Sequence, residues 1–330
     1  MNKIAKNWLI TAALLLLIAT IIFGSVMMVL KWDFNKLSTV KYETNGYEIN
    51  ENYSNISVKT KTADITFKPS ENGETSVLCF EEKKLKHVVT VENDTLVIDN
   101  RDNRKWYDYI GINIGNPKIT VYIPEGEYSA LSVKSNTGDV KIPKEFKFQS
   151  MNLSGSTGDV YCKASASENI NIKLSTGHIN LEDINVGELK LYVSTGDINV
   201  NSLKCDRKLE ADVSTGKTRL TDVICDNVIS KGDTGDIALY NVRAKDSFAI
   251  TRDTGDVKFE KSDAAEIIVR TSTGDVKGTL LSSKVFITET STGDIRVPKT
   301  TSGGKCEIST DTGDINIAVN SIERRIQLLN

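Results

Sequence analysis

Cysteine, histidine and a one-sided charge are what this sequence has little of, and each shortage closes a class of function. The 330 residues include five cysteines, at positions 79, 162, 205, 225 and 306, an odd number with no CxxC pair. That usage disfavours a disulfide framework or a zinc site and leaves them as small apolar residues. The two histidines, His87 and His178, have no candidate nucleophile near them in sequence. A balance of 41 basic against 44 acidic residues, net -3, gives no field that would attract nucleic acid. No cofactor is expected, nor a catalytic or metal-binding residue.

The amino terminus is the first positive signal. Trp8 to Leu30 is an uncharged run of 23 residues. As a helix it spans roughly 34 Å, enough for a hydrocarbon core of about 30 Å. Lys3 and Lys6 precede it, and Lys31, Lys36 and Lys41 follow together with Asp33 and Glu43. The short basic flank has the form of a signal-anchor n-region, which places the amino terminus in the cytoplasm and the bulk of the chain outside. The run is longer than a cleavable signal sequence, and no cysteine follows it closely enough to accept a lipid. Residues 1–7 then read as a cytoplasmic tail, 8–30 as a transmembrane helix and 31–50 as a linker.

The second signal is a repeat. Thr-Gly begins at Thr137, Thr157, Thr176, Thr195, Thr215, Thr234, Thr254, Thr273, Thr292 and Thr312, at intervals of 19 or 20 residues. Six residues before each Thr stands an apolar column: Leu131, Met151, Ile170, Leu189, Leu209, Val228, Phe248, Ile267, Phe286 and Cys306. Three and five after it come Val140 and Ile142, Ile198 and Val200, Ile237 and Leu239, with mostly polar residues such as Lys141, Asn199 and Lys258 between them. This period-two alternation makes each unit two short strands around a tight S-T-G-D turn. Neither strand can cover its own apolar face, so successive units must stack, continuing the ladder from coil to coil at about 4.8 Å. The expected fold is all-β: a parallel β-solenoid of about ten coils over residues 131–317, closed at 318–330 by Ile322, Ile326 and Leu328. Cys205 and Cys225, both ten residues after a corner Thr, should stack on adjacent coils as buried thiols.

A degenerate coil precedes the repeat in ISVKTKTADITF, with Thr62, Ala63 and Asp64 in the corner columns. Between it and Thr137 the strands TSVLCFE, KHVVTVE, TLVID and KITVYIP read as an antiparallel insertion or cap, making 51–130 the amino-terminal part of the domain.

The anchor, the TADITF start, the VYIPEG entry and the chain of STGDI turns together resemble a bacterial domain-of-unknown-function family that carries a provisional adhesin label. The resemblance covers nearly everything after residue 40. It implies a β-solenoid and a cell-envelope setting; some similar proteins belong to envelope-stress responses. It brings no catalytic motif to carry over.

Two groups of residues are candidates for chemistry. The corner pairs Gly138-Asp139, Gly158-Asp159, Gly196-Asp197, Gly235-Asp236, Gly255-Asp256, Gly274-Asp275, Gly293-Asp294 and Gly313-Asp314 form a turn ladder, with His178 and Lys217 standing in two Asp places. Calcium needs about six to eight oxygens converging on one point, which one Asp per coil does not supply. Gly at positive φ and Asp accepting from turn amides account for the column as scaffold. The other group breaks the pattern: Arg101, Arg104, Lys105, Trp106, Tyr107 and Tyr109 combine charge with flat apolar surface, suited to a glycan or a protein partner, or alternatively to closing the solenoid end.

The function expected is that of a membrane-anchored extracytoplasmic interaction scaffold, adhesin-like at the cell envelope. An envelope-stress regulator acting through a membrane-protein partner is the first alternative. A polysaccharide-active β-helix enzyme stands behind both, because its carboxylates would depart locally from the repeat whereas these constitute it.

Overall fold

The structure is a computed structural model and describes residues 3–109, 113 and 115–320. A single helix, α1 (Lys3–Val29), opens it, so the helix begins within the expected tail. Its span Ile4–Val29 is long and apolar enough to cross a membrane. The expected linker ends in a strand, β1 (Tyr42–Ile49). Among the described residues β1 and the strands after it form one continuous sheet of 24 strands, wound as a β-solenoid.

The coils cornered from Thr137 to Thr254 each have three inward-facing stretches where the sequence suggested two strands. In the coil cornered at Thr195, the buried side chains are Leu189, Leu191 and Val193, then Ile198 and Val200, then Leu203 and Cys205. The extra bend falls seven residues after the Thr, at Asp183, Ser202, Asp222, Asn241 and Lys261, each with φ between 50° and 57°. Non-glycine residues enter this left-handed region at modest cost, Asp and Asn most readily, so the bend carries no glycine signature. Equivalent columns stack in register, Thr157 on Thr137, Thr195 on Thr176 and Thr254 on Thr234. All five cysteines are buried free thiols within this packing.

The T-G-D corner is where coils approach most closely. Gly196 has φ of 135°, and a Cβ there would lie 2.0 Å from the carbonyl oxygen of Gly177 one coil below. Both the backbone conformation and the spacing therefore require glycine.

The order of coils departs from the order of the sequence at both ends. At the carboxyl end Thr312 pairs with Thr273 on one side and Thr292 on the other. The last coil in sequence is thus inserted between its two predecessors, and the coil of Thr292 becomes the end of the stack. Gly303 and Gly304 permit the return: a Cβ on either would lie 2.0 or 1.9 Å from a carbonyl oxygen, of Ser283 and Ala265 respectively. The expected closing residues Ile322, Ile326 and Leu328 lie outside the described residues.

The amino end is built alike. The first coil, β2 (Asn55–Thr62) with β3 (Asp64–Pro69), leads into the strands β4 (Thr75–Glu82), β5 (Leu85–Glu92), β6 (Thr95–Asp102) and β7 (Lys118–Ile123). Of these, β4 pairs antiparallel with both β1 and β7, and β5 pairs antiparallel with β6, forming the cap. In contrast β6 and β7 run parallel to β2 and β3 and make one more coil beyond the first. On its other face the first coil meets the coil of Thr137. The T-G-D corner of the outermost coil is replaced by residues 103–117, so the aromatic-basic loop is the corner of an end coil.

Replacing Gly196 with Ala should cost about 3 kcal/mol through strain and backbone collision. Urea unfolding monitored by circular dichroism would show a lower midpoint; an unchanged midpoint would mean that the corner relaxes freely.

Candidate functional site

The Asp column forms a hydrogen-bonded ladder along the T-G-D edge. Asp64 Oδ1 accepts from the Asp139 amide at 3.0 Å, and Asp139 Oδ1 accepts from the Asp159 amide at 2.9 Å. Asp159 serves His178, whose Nδ1 accepts from the Asp197 amide at 3.1 Å, and Asp197 serves Lys217. Beyond Lys217 the ladder resumes from Asp236 to Asp256 and Asp275, then passes to Asp314 and from it to Asp294, following the interleaved order of the coils. The neighbouring carboxylates are thus spent on amides that the sheet leaves without strand partners. An ammonium cannot accept a hydrogen bond, so Lys217 interrupts the chain and pairs with Asp236 Oδ2 at 3.2 Å instead. Burial opposes ionisation of Asp236, yet the Asp256 amide and the Lys217 ammonium hold its carboxyl below the usual range.

The aromatic-basic loop is organised by a different aspartate. Asp102 receives Nε and Nη2 of Arg104, each at 2.9 Å, and the Arg104 amide at 3.0 Å. Lys61 Nζ at 2.7 Å and the Tyr109 hydroxyl at 3.2 Å complete its shell. Led by the Arg104 fork, these donors hold the Asp102 carboxyl far below the usual carboxylate range. Arg104 is therefore turned inward, its guanidinium also 4.7 Å from the Tyr109 ring centroid and 3.6 Å from Glu82. Its role is to position the loop rather than to meet a partner. The others are on the surface: Trp106 is 76% exposed, Tyr109 61% and Tyr107 48%, with Arg101 and Lys105 exposed beside them. The aromatics do not seal the solenoid end.

A third surface was not singled out from the sequence. A groove of about 910 Å³ runs from Phe67 to Thr221, across the face that follows the T-G-D corner. Lys68, Lys141, Lys163 and Arg219 line it together with Tyr161, Asn180 and Asn199. Lys141 Nζ lies 5.5 Å from the Tyr161 ring centroid, and Asn199 donates to Asn180 Oδ1 at 3.1 Å. Lys141, Tyr161, Asn180, Asn199 and Arg219 occupy one outward column of the repeat, four residues after each corner Thr, so that part of the signal was present as a run of planar and basic side chains at fixed spacing.

A family model described as Toastrack DUF4097 matches residues 53–216 and 206–328. The chain belongs to the Toastrack family. No curated protein matches it significantly. Among solved structures, a Parabacteroides distasonis protein provisionally named as lipid-binding is similar at 18% identity, over 73% of this chain and 98% of its own, with a TM-score of 0.49. A Parabacteroides merdae protein provisionally named an adhesin is 12% identical over 86% of this chain and 98% of its own, with a TM-score of 0.44.

Two polar clusters lie inside this Toastrack domain, and sequence order concealed both. In the cap, Thr60 Oγ1 is 3.0 Å from His87 Nε2, and His87 Nδ1 is 2.7 Å from Glu81 Oε2, although the sequence places no candidate nucleophile near either histidine. The chain brings Thr60 up from 27 residues away. The order hydroxyl, imidazole, carboxylate is that of a hydrolytic triad, but the three residues are only 3%, 3% and 1% exposed, so no substrate carbonyl can reach the hydroxyl. Cys79 also lies within 4.8 Å of the Glu81 and His87 donor atoms, a set able to hold a metal ion. Burial pushes its thiol up to about 12, and the carboxylate and imidazole are already engaged: Glu81 also takes the His87 amide at 2.6 Å and Asn45 Nδ2 at 2.6 Å. The arrangement works as a clasp between β2, β4 and β5. Burial would raise the Glu81 carboxyl, but its bonds from His87 and Asn45 outweigh that and lower it.

The second cluster gathers departures from the repeat. Arg252, 1% exposed, points inward where other coils carry Leu174 or Val213, and donates to Thr218 Oγ1 at 3.0 Å and Ser230 Oγ at 3.1 Å. Gly232 makes room, since a Cβ there would lie 1.7 Å from Arg252 Nη1. Burial without a bonded carboxylate lowers the Arg252 guanidinium to about 10.

Lys217→Asn restores an acceptor to the ladder and should stabilise the domain by about 0.5 to 1.5 kcal/mol, read as a raised urea midpoint. Glu81→Gln should cost about 2 kcal/mol at neutral pH. Because the native Glu81 carboxyl is lowered from 4.5, its contribution is complete above that pH and disappears as the pH falls through the native value, so wild type and variant should converge in acid. Parallel urea titrations at pH 7 and pH 3 would check this.

Proposed function

We propose that the protein is a membrane-anchored scaffold at the cell envelope, held by α1 and presenting its Toastrack solenoid outside the cytoplasm to bind rather than to catalyse. The observation that carries the reading is the groove, which crosses six successive coils without a break in the ladder and so offers a straight track about 24 Å long between its first and last coil. Lys163 is taken up by Glu182 at 2.7 Å, and Glu145 also lines the groove; Lys68, Lys141 and Arg219 are the cations left to meet an extended anionic polymer, while Tyr161 and the Asn180–Asn199 pair offer a stacking face and hydrogen bonds. The rigidity of the solenoid means that these groups are already in place before binding, which reduces the ordering cost.

The lysines on the two sides of the apolar span, Lys3 and Lys6 against Lys31, Lys36 and Lys41, do not decide the orientation; the cytoplasmic amino terminus rests on the short basic flank, which has the form of a signal-anchor n-region. Protease treatment of intact cells should remove the solenoid while a cytosolic control survives; a protected solenoid would overturn the orientation. For the groove, Lys141→Glu with Arg219→Glu should weaken retention on isolated anionic wall polymer at least tenfold, about 1.4 kcal/mol, without changing the melting temperature. Unchanged retention would remove the groove as the binding surface, and capture of a specific membrane protein instead would favour a regulatory role.

A further inference from the structure

Among the described residues Trp106 is more exposed than any large apolar side chain outside α1, and its surroundings say what it faces. Lys41 follows the end of α1 by 12 residues, a reach of roughly 40 Å at most, shortened by the 3-10 turn Phe34–Leu37. The Lys41 carbonyl accepts from the Lys83 amide at 2.9 Å, which fixes the end of this connection to the turn between β4 and β5. The same turn is tied to the loop, Lys84 being paired with Asp108 and lying 5.7 Å from the Tyr107 ring centroid. The end of the connection, the turn and the loop thus form one surface, at the end of the stack to which α1 is joined. Trp32 and Phe34, 60% and 51% exposed, stand on the connection that leads from α1 to this surface.

We propose that this surface docks on the phospholipid headgroup layer of the membrane that α1 crosses, with Trp106 and Tyr109 in the interface and Arg101 and Lys105 against anionic headgroups. The inference rests on the anchoring role of α1. Indole and phenol rings prefer the boundary between hydrocarbon and water, where an apolar face and a polar edge are both satisfied. The charge is also of the right sign. Asp102 is taken up by Arg104 and Lys61, and Asp108 by Lys84, whereas Arg101 and Lys105 join no ion pair among the described residues. What the loop leaves exposed and without a carboxylate ion pair is cationic and aromatic, the combination that adsorbs to an anionic lipid surface. Docking would hold the stack at a set angle to the bilayer, so that the groove projects in a defined direction.

The full chain, carrying Trp8→Phe and Trp32→Phe so that Trp106 is its only tryptophan, is reconstituted into vesicles of phosphatidylglycerol and phosphatidylcholine with brominated acyl chains. The expected result is a blue-shifted Trp106 emission quenched about twofold or more. Quenching should fall in pure phosphatidylcholine, in high salt, and in the Arg101→Gln, Lys105→Gln variant, whose fold is checked by circular dichroism. Alkaline extraction separates the two readings. A chain released by carbonate removes the anchor, and the docking surface with it. A chain that stays inserted while Trp106 emits as a water-exposed indole overturns the docking alone, as does a Trp106 signal that responds to wall polysaccharide and not to lipid.

Discussion

Close approach of backbones at the T-G-D corner is the constraint on which the rest of the molecule depends. Successive coils meet there with a glycine carbonyl about 2 Å from where a Cβ would sit on the next glycine. That contact sets the coil spacing, and the spacing in turn lets an aspartate oxygen reach the amide one coil away. A column of carboxylates about 4.8 Å apart would repel by roughly 0.9 kcal/mol per pair in water. Here each one except Asp294, the last, accepts an amide, a bond to a charged acceptor worth about 1.5 to 3 kcal/mol, which outweighs that repulsion. The corner also tolerates exceptions of one chemical kind. His178 can stand in because its ring nitrogen accepts, and Lys217 breaks the chain because its ammonium does not.

The ends of the stack use the same columns in a different order. Any coil whose columns match can pair with any other, so the chain can lay down an outer coil first and return to fill the gap. At the carboxyl end this places the final strands between two earlier ones. A terminal coil held on both faces must break two ladders to fray, whereas an ordinary last coil breaks one. At the amino end the outer coil carries the aromatic-basic loop, and the antiparallel cap closes beside it, so this end of the stack differs in chemistry from every repeated corner.

The two proposed contact surfaces lie where the repeat stops and along one of its outward columns. The loop at the end coil is held from below by Asp102 and Arg104, leaving its aromatics and two cations outward. The groove is a product of the repeat itself, a column of planar and basic side chains brought into line by stacking. The buried clusters around His87 and Arg252 are the opposite case. Both depart from the apolar pattern, and both are spent on internal bonds: the His87 group ties the cap to the first coil, and the Arg252 group fills the space that Gly232 leaves.

The repeat was legible in the sequence because its chemistry is local. A Thr-Gly-Asp turn and alternating apolar residues report strand, turn and inward face within a single unit, and recurrence every 19 or 20 residues reports stacking. The apolar span before residue 30 was equally plain, since length and lack of charge suffice. The second bend of the coils was hidden, because Asp, Asn, Ser and Lys adopt its left-handed conformation without a glycine to mark it. The order of the coils could not be read from the repeat, for identical columns do not say which neighbour each unit takes. Likewise the partners of His87 and the inward turn of Arg104 depend on residues brought together across coils. The sequence by itself determined the unit, its register and its burial; only the tertiary structure decided which unit lies beside which, because stacking energy is nearly the same for every matched pair and the connections between coils make the choice.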